Sequence, residues 1–150
     1  MASIGSPLFE RIRSKYVPRG WRLRVWRDPR VVAGLGSVNA AGQCLLDEKI
    51  ICIAPFVLAW DDPKSSYILL HEVGHIHTWK ANSPAWRDEY LAERYAFQSM
   101  RNEGLTVSHD LRDHAKEYVA QIAKRDGDFD TLPPDVRKWL GKHGKRNLGS

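Results

Sequence analysis

Helix punctuation, more than composition, constrains what this chain can fold into. Asp61-Asp62-Pro63 supplies an N-cap and a proline for the first helical turn, and Ser83-Pro84 repeats that start signal. The spacing predicts one helix running to about Lys80 and a second closed by Gly104. A third is expected after Ser108, ending before Gly127, and Pro133-Pro134 introduces a short last one. The first sixty residues read differently. Ser6-Pro7 followed by Leu8, Phe9, Ile12 and Tyr16 predicts a capped amphipathic helix that ends near Pro18-Arg19-Gly20. From Trp21 to Arg27, apolar residues alternate with arginine, the pattern of a half-buried strand. After a Gly-rich passage (Gly34, Gly36), Gln43 to Leu46 and Lys49 to Ala54 flank Asp47-Glu48 as a β-hairpin.

Strands therefore come early and helices late, which predicts an α+β fold: an N-terminal helix and a small antiparallel sheet, then the long helices. With 150 residues, 43% of them hydrophobic, the chain is expected to be one domain spanning 1–150, with a basic polar tail from about residue 141. Arg11, Arg13 and Lys15 interrupt the apolar residues of the first segment early, so a secretory signal peptide is not expected. The apolar run from Ile50 to Trp60 contains Pro55 and is too short to span a bilayer. Cys44 and Cys52 sit in apolar strand-like sequence and cannot form a disulfide framework. A cytoplasmic protein without a membrane partner is the expectation.

The chemistry is concentrated in His71-Glu72-Val73-Gly74-His75, inside the first long helix. Residues four apart on a helix are offset by only about 40°, so the two imidazoles project from one face, one turn apart. Glu72 is angled away from them and can reach a water held by a metal rather than the metal itself. That is the arrangement of a zinc hydrolase. Such a site needs three protein ligands and an open position. The next helix carries Glu89 and Glu93, four apart on one face; either can bind metal while the other holds the ring N–H of a ligand histidine. Ala92 and Ala96 make a small-residue stripe suited to close packing against Gly74. His77 lies about 200° around the helix from His75 and cannot share its metal, so an outer or surface role is expected. Trp79 and Trp86, at the junction of the two helices, are expected in the core.

His71-Glu72-Val73-Gly74-His75, followed by Glu89-x-x-Ala92-Glu93-x-Tyr95-Ala96, resembles the gluzincin pattern H-E-x-x-H … E-x-x-A-D-x-F-A of the ImmA/IrrE family of small zinc metallopeptidases. The resemblance covers about thirty residues well and the preceding hairpin more loosely. It implies a minimal zincin-like domain with zinc on His71, His75 and Glu89, Glu72 as general base, and Glu93 where the family has a second-sphere aspartate. It further implies a protein or peptide substrate, typically a DNA-binding repressor, in a phage or mobile-element setting. Zincins of this layout hold substrate along an edge strand, for which Lys49 to Ile53 is the candidate. For the oxyanion, Tyr67, Tyr90, Tyr95, His77, His109 and His114 are all available and none is selected.

The charge is unevenly distributed. Residues 1–30 carry eight Lys/Arg against two acidic residues, residues 135–150 carry five against one, and 31–134 hold a net charge of −5. Basic ends beside Trp21 and Trp26 would allow contact with nucleic acid. Alternating Arg and Trp on a half-buried strand produces the same pattern without it, so nucleic acid is not the favoured partner. Two alternatives follow from these features. A SprT-like DNA-associated protease would use a third histidine, for which the sequence offers no fitting context. A non-catalytic zincin-fold regulator would need only metal ligands, and Glu72 argues against it.

Overall fold

Ser6 accepts a hydrogen bond from the Phe9 amide and Pro7 fills the first turn, so helix α1 (Pro7–Tyr16) starts at the predicted cap. It buries Phe9 and Ile12. This is a computed structural model describing residues 3–25 and 41–145. The architecture is α+β: five α-helices and a three-stranded sheet among the described residues. Strand β1 (Arg22–Val25) turns its arginines outward and half-buries Leu23 and Val25. Trp26, Arg27 and the Gly-rich passage lie outside the described residues.

Strands β2 (Gly42–Leu45) and β3 (Ile50–Ile53) form the expected antiparallel hairpin, with Cys44 opposite Ile51. Its turn closes through Lys49, at φ 55. The sheet as a whole departs from expectation. β1 pairs with β3 in parallel, Arg22 opposite Ile50, giving the order β1-β3-β2 and a mixed rather than antiparallel sheet. Ile-Ile-Cys-Ile in β3 has no polar alternation and is buried nearly throughout, as suits a strand covered on both faces, and such a run accepts a central place as readily as an edge. Lying between β1 and β2, Lys49 to Ile53 is not an edge. Among the described residues the edges are β1 and β2.

A 3-10 turn (Pro55–Ala59) leads from β3 into helix α2 (Asp62–Thr78), whose N-cap Asp61 accepts from the Lys64 amide. Helix α3 (Ala85–Asn102) follows and packs along α2. Helix α4 (His109–Arg125) is capped by Ser108, and α5 (Pro134–Leu140) is the short last helix. The main core joins Ile51, Ile53, Val57, Leu69, Leu70, Val73 and Met100 between sheet and helices. A smaller cluster of Tyr90, Val119, Phe129 and Leu140 joins α3, α4 and α5, and Trp139 touches both. Residues 141–144 are not a free tail. They form a 3-10 turn in which the Gly144 carbonyl accepts from Arg137, and His143 Nε2 lies 2.8 Å from Asp113 Oδ1 on α4. Among the described residues no helix is long and apolar enough to cross a membrane.

Gly74 sets the distance between α2 and α3. A Cβ there would lie 2.9 Å from Ala92 Cα and 3.0 Å from Ala92 O, and backbone atoms cannot rotate away. Gly74→Ala should therefore cost about 1–3 kcal/mol of stability, the usual range for overpacking. An unchanged denaturant midpoint would contradict this close approach.

Candidate metal centre

Three donor atoms from two helices meet at one point. His71 and His75, one turn apart on α2, bring their Nε2 atoms to 3.2 Å. Glu89, reaching across from α3, places Oε2 at 2.9 Å from His71 Nε2 and 3.5 Å from His75 Nε2. A tetrahedral ion with ligands at about 2.0–2.1 Å separates them by roughly 3.3 Å, so this triangle has the size of one metal's coordination face. Glu89 Oε2 is buried without a hydrogen bond of good geometry, which leaves its lone pairs for a cation. Two overlapping residue groups have spacing suited to an ion, His71, Glu72 and His75, and His71, Glu89 and Glu93, with His71 common to both.

Glu93 lies on the other side of the His71 ring. Its Oε1 is 2.5 Å from His71 Nδ1, opposite the edge that faces Glu89, and both its oxygens accept from the Tyr67 hydroxyl at 2.6–2.7 Å. Tyr67 thus anchors Glu93, whose carboxylate stands against the Nδ1 edge of His71. Glu72 is buried, with Oε1 3.9 Å from His75 Nε2, too far to complete the triangle and near enough to serve a water bound there.

The electrostatics are dominated by burial and by these neighbours. Burial pushes the Glu72 carboxyl up, against the pull of His71 and His75, so it is a stronger base than an exposed glutamate. Burial acts the same way on Glu89 but is outweighed by His71 and His75, which hold its carboxyl well below the usual range. For His71, burial would lower the pKa, yet Glu93 and Glu89 raise it well above the ordinary value. Three carboxylates around two imidazoles make a site that favours a cation. On β2, burial, Glu72 and Cys52 push the Cys44 thiol up to about 12, which removes it as a nucleophile or thiolate ligand at neutral pH.

The centre opens on a cleft of about 1350 Å³ between the Ala41-Gly42 edge, α2 and α4. Of the open candidates for an oxyanion donor, only Tyr67 and His114 line it, and the Tyr67 hydroxyl is committed to Glu93. Tyr90 is buried in the smaller core and accepts from Arg94, while His77 and Tyr95 stack on each other at 5.1 Å. His109 does not line the cleft. Trp86 packs against the smaller core as expected, but Trp79, the C-cap residue of α2, is 59% exposed.

Two residues of the cleft escape a reading by motif. Tyr118, one turn beyond His114 on α4, lines it while staying 44% exposed, and its partial desolvation together with Glu89, Glu72 and Glu93 raises its phenol, which keeps it a hydrogen-bond donor. Its signal in the sequence is only the i, i+4 spacing from His114. Gly42 lies against Glu72: a Cβ there would stand 3.0 Å from Glu72 Cγ and 3.2 Å from Oε2. Compared with protein-family models, with curated proteins and with solved structures, the chain matches none.

Proposed function

We propose that this chain is a zinc-dependent endopeptidase of the gluzincin type, a zincin-like domain resembling the ImmA/IrrE group. The observation that carries the reading is the triangle of His71, His75 and Glu89 donor atoms with edges of 2.9–3.5 Å, with Glu72 beside it but outside it. When bound, zinc supplies a Lewis acid that lowers the pKa of water to about 7 and polarises a carbonyl. Glu72, its basicity raised by burial, accepts the proton of the attacking water and returns it to the leaving amine. Glu93 and Tyr67 hold His71 in register. Across the cleft, His114 and Tyr118 are the candidate donors to the oxygen on which charge develops. The β2 edge beside Glu72, rather than β3, is the strand along which an extended substrate would lie.

A protein substrate suits the cleft better than nucleic acid. Asp61, Glu72, Glu89, Glu93 and Asp110 line it against one ammonium, that of Lys64, so phosphates are repelled. The test is hydrolysis of a mixed protein and peptide pool, read by mass spectrometry. Chelation should reduce cleavage by about 100-fold or more, and one equivalent of zinc should restore it. Cleavage that survives chelation would refute the reading.

A further inference from the structure

The cleft lining also carries apolar side chains, Phe56, Trp60 and Ile68, that the proposed chemistry does not use. Phe56 is 41% exposed and belongs to neither hydrophobic cluster. Its ring stands 5.3 Å from that of Trp60, at 53°, and both line the cleft. Ile68, half-buried, continues this surface along α2 towards Glu72, one helical turn away. The shelf is built rather than loose. Ser65 Oγ donates into the turn that carries it, with the Val57 carbonyl at 2.8 Å and the Trp60 and Asp61 carbonyls at 3.3 and 3.1 Å. Lys64 holds its ammonium 4.0 Å from the Trp60 ring centroid at the rim.

Phe56 is the exposed member of the pair, and Trp60, half-buried against the main core, gives it a fixed backing inside the cleft. Its place in the cleft also limits what can sit on it. From Glu72 to Ile68 and on to Lys64, α2 recedes about 5.4 Å per turn, whereas an extended peptide advances about 3.3 Å per residue. The shelf thus starts one to two residues from a carbonyl beside Glu72 and ends about three residues away. The cleft as a whole is lined by five carboxylates and one ammonium, and a divalent ion leaves that lining negative.

We infer that the Phe56, Trp60 and Ile68 shelf is a specificity subsite for a large apolar side chain, carried on a cationic extended peptide within about three residues of the bond cut. The inference deepens the peptidase reading and takes its reference point from it, but the binding preference can be measured without hydrolysis. Fluorescent Lys-rich peptides containing one Phe, or Ser in its place, are titrated into the zinc-loaded full chain carrying Glu72→Gln. The Phe peptide should bind about tenfold or more tightly than its Ser partner, as burial of a phenyl ring requires. Adding Phe56→Ala should remove most of that ratio, and Phe56→Leu should keep it. In parallel, the zinc-loaded wild type is given a randomised peptide pool.

Equal affinity for the two peptides, or a ratio unchanged by Phe56→Ala, overturns the subsite. So does cleavage of the pool with no apolar bias near the cut, which leaves the peptidase reading standing. A Phe-dependent affinity lost in Phe56→Ala, with no peptide in the pool cut, supports the subsite and tells against the peptidase instead.

Discussion

Glu72→Gln should reduce peptide hydrolysis by about 10²–10⁴-fold, the contribution of a positioned general base, while leaving zinc binding intact. The amide matches the carboxylate in size and fits beneath Gly42, but it cannot take a proton. Because Glu72 stands 3.9 Å from His75 Nε2, outside the ligand triangle, its loss removes no metal donor. Stability should move the other way. Burial raises the folded carboxyl's pKa, so the unfolded chain ionises first, and from about the ordinary carboxylate pKa upward the ionised Glu72 opposes folding. At pH 7 Glu72→Gln should therefore melt no lower than the wild type, and somewhat higher in the absence of zinc. Loss of activity together with loss of folding would mean that Glu72 is a structural group. The pair of readouts, activity lost and stability kept, separates a base from a buttress.

Glu89→Ala should reduce zinc affinity by well over 100-fold, since even outer partners of metal ligands are worth about 10–100-fold. The burial of Glu89 Oε2, its lowered pKa and its 2.9 and 3.5 Å approaches to the two imidazoles support the proposal that it is the third donor. Glu93→Gln should be milder, about 10–100-fold, because Glu93 touches His71 only through Nδ1. Competition with a chromophoric chelator measures both. Equal losses in the two variants, or a larger loss in Glu93→Gln, would move the ligand role from Glu89 to Glu93.

What could be read from the chain divides along physical lines. Helix starts were legible at Ser6, Asp61 and Ser108 because capping is a contact within three residues, and each of these side chains does accept its predicted amide. The two imidazoles were legible for the same reason: helical period alone puts them on one face. The order of Glu89 and Glu93 was not legible from helical period, and only the family resemblance implied Glu89 as the ligand. Both lie on one face of α3, and their roles depend on how deeply α3 slides against α2, which is set by the contact of Gly74 with the Ala92 backbone. Sheet order was hidden because the β3 apolar run fits an edge of a small sheet or its centre equally well. Its parallel pairing with β1 is a non-local choice that no local signal encodes. Tyr118 and Gly42 were missed because their roles arise only when α4 and β2 close over α2.

Zinc K-edge absorption on the zinc-loaded chain tests the ligand set most directly. One zinc per chain, two imidazoles and a shell of nitrogen and oxygen at about 2.0–2.2 Å are expected, with the carboxylate contribution lost in Glu89→Ala. A sulfur shell at about 2.3 Å, more than two imidazoles, or an unchanged spectrum in Glu89→Ala would contradict a centre built from His71, His75 and Glu89.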